Sequence, residues 1–218
     1  MIRYIDKTVL ESQETIVSSF GIYSKNIERE LEISFQGMQW QEPKENILEA
    51  TTLLVRLIQR QKGNNTIVPF EEKWIKEFTI VLVPTGVWNG MKLGQLTQEK
   101  ILIALGDGIA ELSVDSGEVI WSKKYANTPI DIIQLSSTLD GLYILYNYYK
   151  FKSNLIKSNL IKIDLSGKIL WVAQPKSKND FFTVFNCTNK ILSANTWDGW
   201  SVKLNEQSGK IIDANWTK

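Results

Sequence analysis

Residues 158–171, SNLIKIDLSGKILW, form one copy of a phrase that occurs three times in the chain. The other copies are GDGIAELSVDSGEVIW at residues 106–121 and WDGWSVKLNEQSGKIID at residues 197–213. Each copy has a run of alternating apolar residues, an Asp or Asn, a turn that ends in Ser-Gly, and two further apolar residues. This order predicts a β-hairpin in which the glycine adopts the positive φ of the turn while the Asp or Asn side chain bonds to the turn backbone.

The hairpins recur at a nearly regular interval, with turn glycines at Gly117, Gly167 and Gly209. Such a period predicts one sheet unit that is repeated along the chain. Trp121 and Trp171 follow the glycine at the same offset, and we expect both to fill the gap between adjacent sheets. The pentapeptide SNLIK is written twice in tandem at residues 153–162, and we expect this insertion on the loop side of a strand.

The chain up to Gly63 has a different pattern. Short or alternating apolar runs at residues 3–10, 15–22 and 28–35 predict three strands. The segment KENILEATTLLVRLIQRQKG at residues 44–63 then predicts one helix, because its apolar residues fall on one helical face at Ile47, Ala50, Leu54, Leu57 and Ile58. The sequence therefore predicts a small α+β unit of three strands and one helix over residues 1–65, followed by a β-repeat domain over residues 66–218.

The three hairpins resemble the outer strands of the PQQ-like, or BamB-like, β-propeller repeat, in which a G-x-x-x-x-L-D-x-x-T-G-x-x-x-W phrase closes each blade. Ser116, Ser166 and Ser208 stand where the repeat usually has Thr. The resemblance implies a mainly β chain with a small α+β N-terminal part and a partial, about three-blade, propeller-like repeat of antiparallel sheets. It also implies a scaffold that presents loops to binding partners. Members that bind a quinone have a full ring of blades and a calcium site, so no cofactor is expected.

Charge and residue types narrow the function classes. The chain has 25 basic and 24 acidic residues and a formal charge of +1, so no global field favours nucleic acid or an anionic membrane. It has no histidine, and therefore lacks the usual general base near neutral pH and the commonest metal ligand. We expect no enzyme activity, no catalytic residue, no metal site and no cofactor. Cys187 is the single cysteine, and its strand pattern predicts a buried structural thiol.

The start of the chain, MIRYIDKTVLESQETIV, has charged residues throughout and no uninterrupted apolar stretch. We therefore expect no signal peptide. No window of the sequence is long and apolar enough for a membrane-spanning helix, and one cysteine cannot form an internal disulfide. These features together predict a cytoplasmic protein.

Aromatic residues supply the candidate binding site. Large aromatics at alternating strand positions, such as Tyr143 and Tyr146, are expected in the core. Trp200 and Tyr149 fall out of phase with their neighbours, which favours a surface position. The candidate binding residues are Trp200, Tyr149, Trp197 and Asp198.

Charged residues near these aromatics have two interpretations each. The acidic residues beside glycine are expected to form turns rather than to supply acid–base chemistry, and they are Asp107, Asp115, Asp164 and Asp198. A run of lysines around Tyr148 is typical of charged edge strands that prevent aggregation, although it also fits a polyanion-binding strip. Its members are Lys150, Lys152, Lys157, Lys162, Lys176 and Lys178.

The sequence favours a non-enzymatic binding protein with a protein partner. The layout of a small α+β start and a short degenerate propeller also resembles small bacterial proteins, some of which are immunity partners of toxins. It suggests an inhibitor that occludes a partner protein with loops. The alternative is a small-ligand or glycan-binding module, or a hydrolase that uses carboxylates such as Asp198 and Asp180 near Trp197. A third possibility is a purely structural module.

Overall fold

The computed structural model describes residues 2–4, 10–11, 14–23, 27–36, 51–61, 69, 71–80, 92–148, 151, 153–188 and 191–217. The chain divides into two compact units, Met1–Ser122 and Lys123–Lys218. The described strands form four antiparallel sheets, numbered 1 to 4 along the chain. No helix occurs in these ranges, and so none of them contains a helix able to span a membrane.

Sheet 1 has six strands, in the order β1-β3-β4-β5-β6 with β2 paired to β3. These strands are β1 (Ile2–Tyr4), β2 (Leu10–Glu11), β3 (Glu14–Tyr23), β4 (Ile27–Gln36), β5 (Thr51–Gln61) and β6 (Glu71–Ile80). The three strands predicted near the N-terminus correspond to β1–β2, β3 and β4. Leu31 and Ile33 of β4 are fully buried while Glu30 and Glu32 are partly exposed, as the alternation predicts.

The predicted helix over residues 44–63 is wrong for the part that the structure describes, because Thr51–Gln61 forms β5. Leu53, Val55 and Leu57 are fully buried at alternating positions and Leu54 is also buried, so Leu54 and Leu57 of the predicted helical face are both buried in the strand. This strand is paired along nearly its whole length with β4 on one side and β6 on the other. Residues 44–50 and 62–63 of the predicted helix lie outside the described residues.

Sheet 2 has the order β10-β9-β8-β7. Its strands are β7 (Gly94–Leu96), β8 (Ile101–Leu105), β9 (Gly108–Leu112) and β10 (Val119–Lys124). The predicted domain boundary at residue 65 stays a prediction. The strands on either side of it, β5 and β6, pair with each other in sheet 1.

Unit 2 contains two sheets of four strands, in the orders β11-β12-β13-β14 and β15-β16-β17-β18. Sheet 3 is made of β11 (Ile130–Leu135), β12 (Gly141–Tyr146), β13 (Leu160–Asp164) and β14 (Ile169–Val172). Sheet 4 is made of β15 (Phe182–Thr188), β16 (Ile191–Thr196), β17 (Trp200–Leu204) and β18 (Ile211–Trp216). The first SNLIK copy lies in the loop before β13, which confirms the expected position of the insertion.

The two sheets of unit 2 share one apolar core. Tyr143 and Trp171 of sheet 3 pack in a single cluster with Phe182, Phe185 and Leu204 of sheet 4. All six residues of β12 are buried, so both faces of this strand are covered. Sheet 4 has one buried face and one solvated face, and its solvated positions are mostly polar, including Asn186, Asn195, Lys203 and Asn215.

The repeated Ser-Gly turns have the conformation that the sequence predicts. Gly117, Gly167 and Gly209 have φ angles of 71°, 79° and 67°. The Oδ1 atom of Asp164 accepts hydrogen bonds from the main-chain N–H groups of Ser166 and Lys168, and Asn205 does the same in the third copy.

The first copy differs in detail. The Ser113 hydroxyl accepts the two turn N–H groups, from Asp115 and Ser116. The Asp115 carboxylate instead forms an ion pair with Lys73, with an Nζ–Oδ1 distance of 2.7 Å. In this copy the serine two positions earlier therefore accepts the turn N–H groups that the acidic residue was predicted to bind.

Each turn glycine is covered by an aromatic residue from elsewhere in its unit. A Cβ atom on Gly117 would meet the ring of Trp74, and one on Gly209 would meet the ring of Trp171. The indoles donate to main-chain carbonyls of the same turns, Trp74 to Val114 at 2.9 Å and Trp171 to Glu206 at 3.0 Å.

The second turn is covered by a tyrosine. The Tyr125 hydroxyl donates to the Gly167 carbonyl at 2.6 Å. Trp121, which the repeat pattern predicts between adjacent sheets, donates its indole N–H to Glu111 of the neighbouring strand β9. Repeated antiparallel sheets of four strands, each with a Ser-Gly hairpin between its last two strands, make this an all-β, partial β-propeller-like fold over the described residues.

Candidate functional site

The candidate site is the turn between β16 and β17, which contains Trp197, Asp198 and Gly199. Main-chain hydrogen bonds attach this turn to the rest of unit 2. The Trp197 N–H donates to the Phe181 carbonyl at 2.9 Å, and the Gly199 N–H donates to the Thr196 carbonyl at 3.1 Å. Gly199 has a φ of 93°, a left-handed conformation that favours glycine.

Trp216, at the end of β18, and Thr217 hold the turn from its other side. The Gly199 carbonyl accepts both the main-chain N–H and the hydroxyl of Thr217, at 2.8 and 2.9 Å. The Asp198 carbonyl accepts the indole N–H of Trp216 at 3.3 Å. Because hydrogen bonds hold the turn on both sides, its backbone is already rigid without a partner.

Asp180 lies beneath the turn and connects it to the start of sheet 4. Its side chain is almost fully buried, and Oδ1 accepts the main-chain N–H groups of Phe181 at 2.8 Å and Asp198 at 3.0 Å. Its other oxygen, Oδ2, is buried and has no hydrogen-bond partner among the described residues. These contacts give Asp180 a positioning role toward the turn.

Trp197 is the most prominent side chain of the turn. Its side chain is half exposed, and its ring centroid lies 5.2 Å from that of Tyr148 at an interplanar angle of 32°. The Asp198 carboxylate beside it is exposed, and the nearby Trp216 is also largely exposed. The turn therefore presents an indole and a carboxylate side by side on a rigid backbone.

Trp200 is less exposed than its position out of phase with the strand alternation predicts. It is partly buried and packs against the core of unit 2. The Lys176 ammonium lies 3.7 Å from its ring centroid, in cation–π contact. The fourth candidate, Tyr149, lies outside the described residues. The structure thus brings Trp197, Asp198 and Trp200 to one end of unit 2.

Further aromatic rings continue from this end into the core. Phe151 lies 6.2 Å from Tyr146 and 6.5 Å from Phe181, measured between ring centroids. Asn159 is fully buried behind them, and its amide bonds to the main chain of Tyr146 and of Phe182. It therefore connects sheet 3 to sheet 4 directly beneath the candidate site.

Asp131 is a charged group at the same end of unit 2 that the sequence did not single out. Burial raises the pKa of its carboxyl to about 7, and the amide of Asn147, which donates to both carboxylate oxygens at 3.3 and 3.1 Å, lowers it in part. Asp131 is therefore a group that titrates near neutral pH in a chain without histidine. No sequence signal marks it, because its burial depends on the tertiary fold.

The opposite end of unit 2 holds a second polar cluster, around Glu206. Its carboxylate accepts the hydroxyls of Tyr143 at 2.7 Å and Ser137 at 3.0 Å. These bonds lower the pKa of Glu206 despite its partial burial, whereas burial and the adjacent carboxylate raise the pKa of Tyr143. Cys187 approaches the same carboxylate and is only partly buried, so the prediction of a buried thiol is too strong.

Lys162 also departs from its predicted role. The lysine run suggested charged edge strands, yet the Lys162 side chain is almost fully buried on the inner strand β13. Its ammonium forms an ion pair with Asp140 at 3.0 Å and lies 5.4 Å from the ring centroid of Tyr143. Within the ranges that the structure describes, no group of Cys, Asp and Glu residues has the arrangement of a metal site.

Comparison with known proteins gives structural likeness only. No family model matches the chain, and no curated protein matches it. The computationally designed Ika8 protein is 10% identical, with 89% of this chain and 60% of Ika8 covered at a TM-score of 0.49. BamB from Moraxella catarrhalis is 16% identical over 94% of this chain and 76% of BamB, at a TM-score of 0.39. The Cps50 (Swd1) β-propeller domain from Myceliophteria thermophila is 11% identical over 88% and 70%, at 0.46.

Proposed function

We propose that this chain is a non-enzymatic binding protein that holds a protein partner on the Trp197–Asp198 turn. One observation carries the proposal: the turn backbone is bonded on both sides, yet it presents a half-exposed indole next to an exposed carboxylate. A surface that is already rigid loses little conformational entropy on binding. Tryptophan is also among the residues that most often dominate the binding energy of protein interfaces.

The finer proposal is an immunity-type role, in which unit 2 occludes the working surface of its partner. Two further features support a protein partner. Trp216 enlarges the aromatic surface around the turn, and the adjacent Trp197–Tyr148 pair gives it a firm base. The Oδ1 atom of Asp180 already accepts two main-chain amides, which favours a positioning role for this residue over acid–base work.

The partner is tested by comparing matched variants in one affinity purification from the source cell, followed by binding measurements with the recovered protein. Trp197→Ala should weaken binding about 30-fold or more, the effect of losing one central aromatic anchor. Ile191→Ala is the matched control, because Ile191 is about as exposed as Trp197 and lies at the far end of β16, the strand that leads into the turn. Its binding should equal that of the unmodified protein.

Two results contradict the proposal. If Trp197→Ala and Ile191→Ala retain the partner equally, the turn is not the interaction surface. If the purified chain has no stoichiometric partner and instead turns over a substrate, it is an enzyme. For the immunity-type role, the recovered partner should lose its activity at a 1:1 ratio with the chain, and full activity in the complex would refute occlusion.

A glycan or small-ligand module is the second candidate, and the exposed rings of Trp197 and Trp216 favour it, because sugars stack on such surfaces. The same variants separate the two proposals. Saturable binding of an oligosaccharide that is lost in Trp197→Ala, with no protein recovered, would establish the second candidate over the first.

A further inference from the structure

A β-bulge sets Asp131 apart from the other residues of β11. Ile130 pairs with Tyr146 and Ile132 pairs with Leu145, so Asp131 is the extra residue between two consecutive positions of β12. Ile130 and Ile132 are buried, whereas Asp131 is partly exposed. The bulge therefore takes Asp131 out of the regular ladder and leaves its side chain partly exposed at the end of sheet 3.

The Asp131 carboxylate is held in place, but only some of its hydrogen-bond acceptor positions are used. Asn147 donates to both oxygens, and Asn147 is itself almost fully buried and bonded through its main-chain N–H to the Pro129 carbonyl. An ionised carboxylate has about four acceptor positions, so one amide group leaves most of them unused. No lysine or arginine of the described residues contributes to the pKa of this carboxyl, on which burial acts most strongly.

Burying a carboxylate away from any cation costs free energy, because no ion pair offsets the lost hydration. A mostly desolvated carboxylate disfavours its charged form, which is why the pKa of Asp131 rises to about 7. A cation supplied from outside would offset this penalty, since the carboxylate is already positioned and has little water to lose. The site is thus prepared for a positively charged group.

We infer that Asp131, oriented by Asn147, binds a cationic side chain, lysine or arginine, of the protein partner. The inference rests on the proposed function for the source of the cation. The candidate turn lies at the same end of unit 2: Tyr148 follows Asn147 directly, and its ring stacks on Trp197. A partner that covers Trp197 therefore also reaches the Asp131 bulge. Charge complementarity favours a cationic side chain of the partner at that position.

The ion pair is measured on the full chain, without the partner, using two probes: Nα-acetyl-lysine methylamide and Nα-acetyl-arginine methylamide. Carbon-13 NMR of the Asp131 carboxyl reports binding directly. Affinity should rise about tenfold between pH 6 and pH 8, because a carboxyl with a pKa near 7 ionises across that interval. Probe binding should also lower the pKa of the Asp131 carboxyl. The Nε-acetylated lysine probe, which has no charge, should not bind.

Asp131→Asn keeps the shape of the side chain and removes its charge, so it should abolish binding of both cationic probes. Asp213→Asn is the matched control, because Asp213 is a partly exposed carboxylate of the same unit that already has Lys203 as its partner. Equal probe affinity for Asp131→Asn and the unmodified chain would overturn the inference, as would an Asp131 carboxyl signal that ignores the probes. If the probes fail while Trp197→Ala still prevents partner binding, the inference fails and the proposed function stands.

Discussion

The contact between Gly209 and Trp171 gives the sharpest test of how the repeated turns are held. Gly209 has a φ of 67°, and a Cβ atom there would lie 2.6 Å from Cε3 and 2.8 Å from Cδ2 of the Trp171 ring. Alanine in the left-handed region costs about 1–2 kcal/mol. Forcing a methyl group into a packed contact adds about 1–3 kcal/mol. Gly209→Ala should therefore lower the free energy of unfolding by about 2–5 kcal/mol.

Gly167→Ala is the matched comparison. Gly167 has a φ of 79°, and the atoms nearest to its Cβ position are Cδ of Lys123 at 2.7 Å, on a flexible side chain, and the Tyr125 hydroxyl at 3.1 Å. Because no rigid ring edge lies against this position, the variant should cost less than Gly209→Ala, close to the backbone term of about 1–2 kcal/mol. The difference between the two losses of unfolding free energy measures the steric effect of the rigid indole ring.

A double-mutant cycle completes the test, with urea unfolding followed by circular dichroism. Trp171→Ala should cost about 3–5 kcal/mol, because Trp171 is buried in the core. In that background Gly209→Ala should cost only about 1–2 kcal/mol, which leaves a coupling of about 1–3 kcal/mol. Strict additivity of the two substitutions, or equal costs for Gly209→Ala and Gly167→Ala, would refute the steric argument.

Three further predictions concern buried polar groups. Asn159→Ala removes three hydrogen bonds to main-chain groups of Tyr146 and Phe182 and should cost at least about 3 kcal/mol by thermal unfolding, whereas a fully tolerated substitution would contradict this role. Glu206→Gln should lower the free energy of unfolding by about 1 kcal/mol at pH 7 and by less at acidic pH. The pKa of Glu206 is lowered in the folded state, so its carboxylate stabilises the fold at pH values above the ordinary carboxyl pKa, and this stabilisation is lost as pH falls. For Asp131 the sign is reversed: the pKa is raised to about 7, so stability falls as pH rises from about 4 to about 7, by up to about 4 kcal/mol, and Asp131→Asn should abolish that slope in unfolding measured across this range.

The candidate site could be located from sequence in part. Trp197 and Asp198 are the first two residues of the third copy, and the structure puts both predicted binding residues on an exposed turn. Trp200 was expected at the surface because it breaks the local alternation, but packing against the core and Lys176 covers part of it. The sequence favours a hydrolase carboxylate as one alternative for Asp180, but it does not predict the bonds of Asp180 to two main-chain amides, because these depend on the tertiary fold.

Tertiary context also decided the interactions that cover the turns. The turns around Gly117 and Gly209 close with a bond from the glycine N–H to the carbonyl four residues earlier, and the turn around Gly167 closes one residue sooner. The longer turns present the Val114 or Glu206 carbonyl to an indole, and the shorter turn receives a tyrosine hydroxyl. The aromatic partner comes from about 35 to 42 residues away, so the repeat pattern alone does not identify it.

What the amino-acid sequence determined by itself is the set of hairpins, because the positive φ of Gly117, Gly167 and Gly209 and the side-chain bonds of each turn lie within a few consecutive residues. What only the tertiary structure decided is everything that depends on distant neighbours. Thr51–Gln61 became a strand because β4 and β6 bond its backbone from both sides, which outweighs its helical periodicity. Asp131 acquired its shifted pKa in the same way, since burial comes from packing between segments far apart in the chain and leaves no local mark.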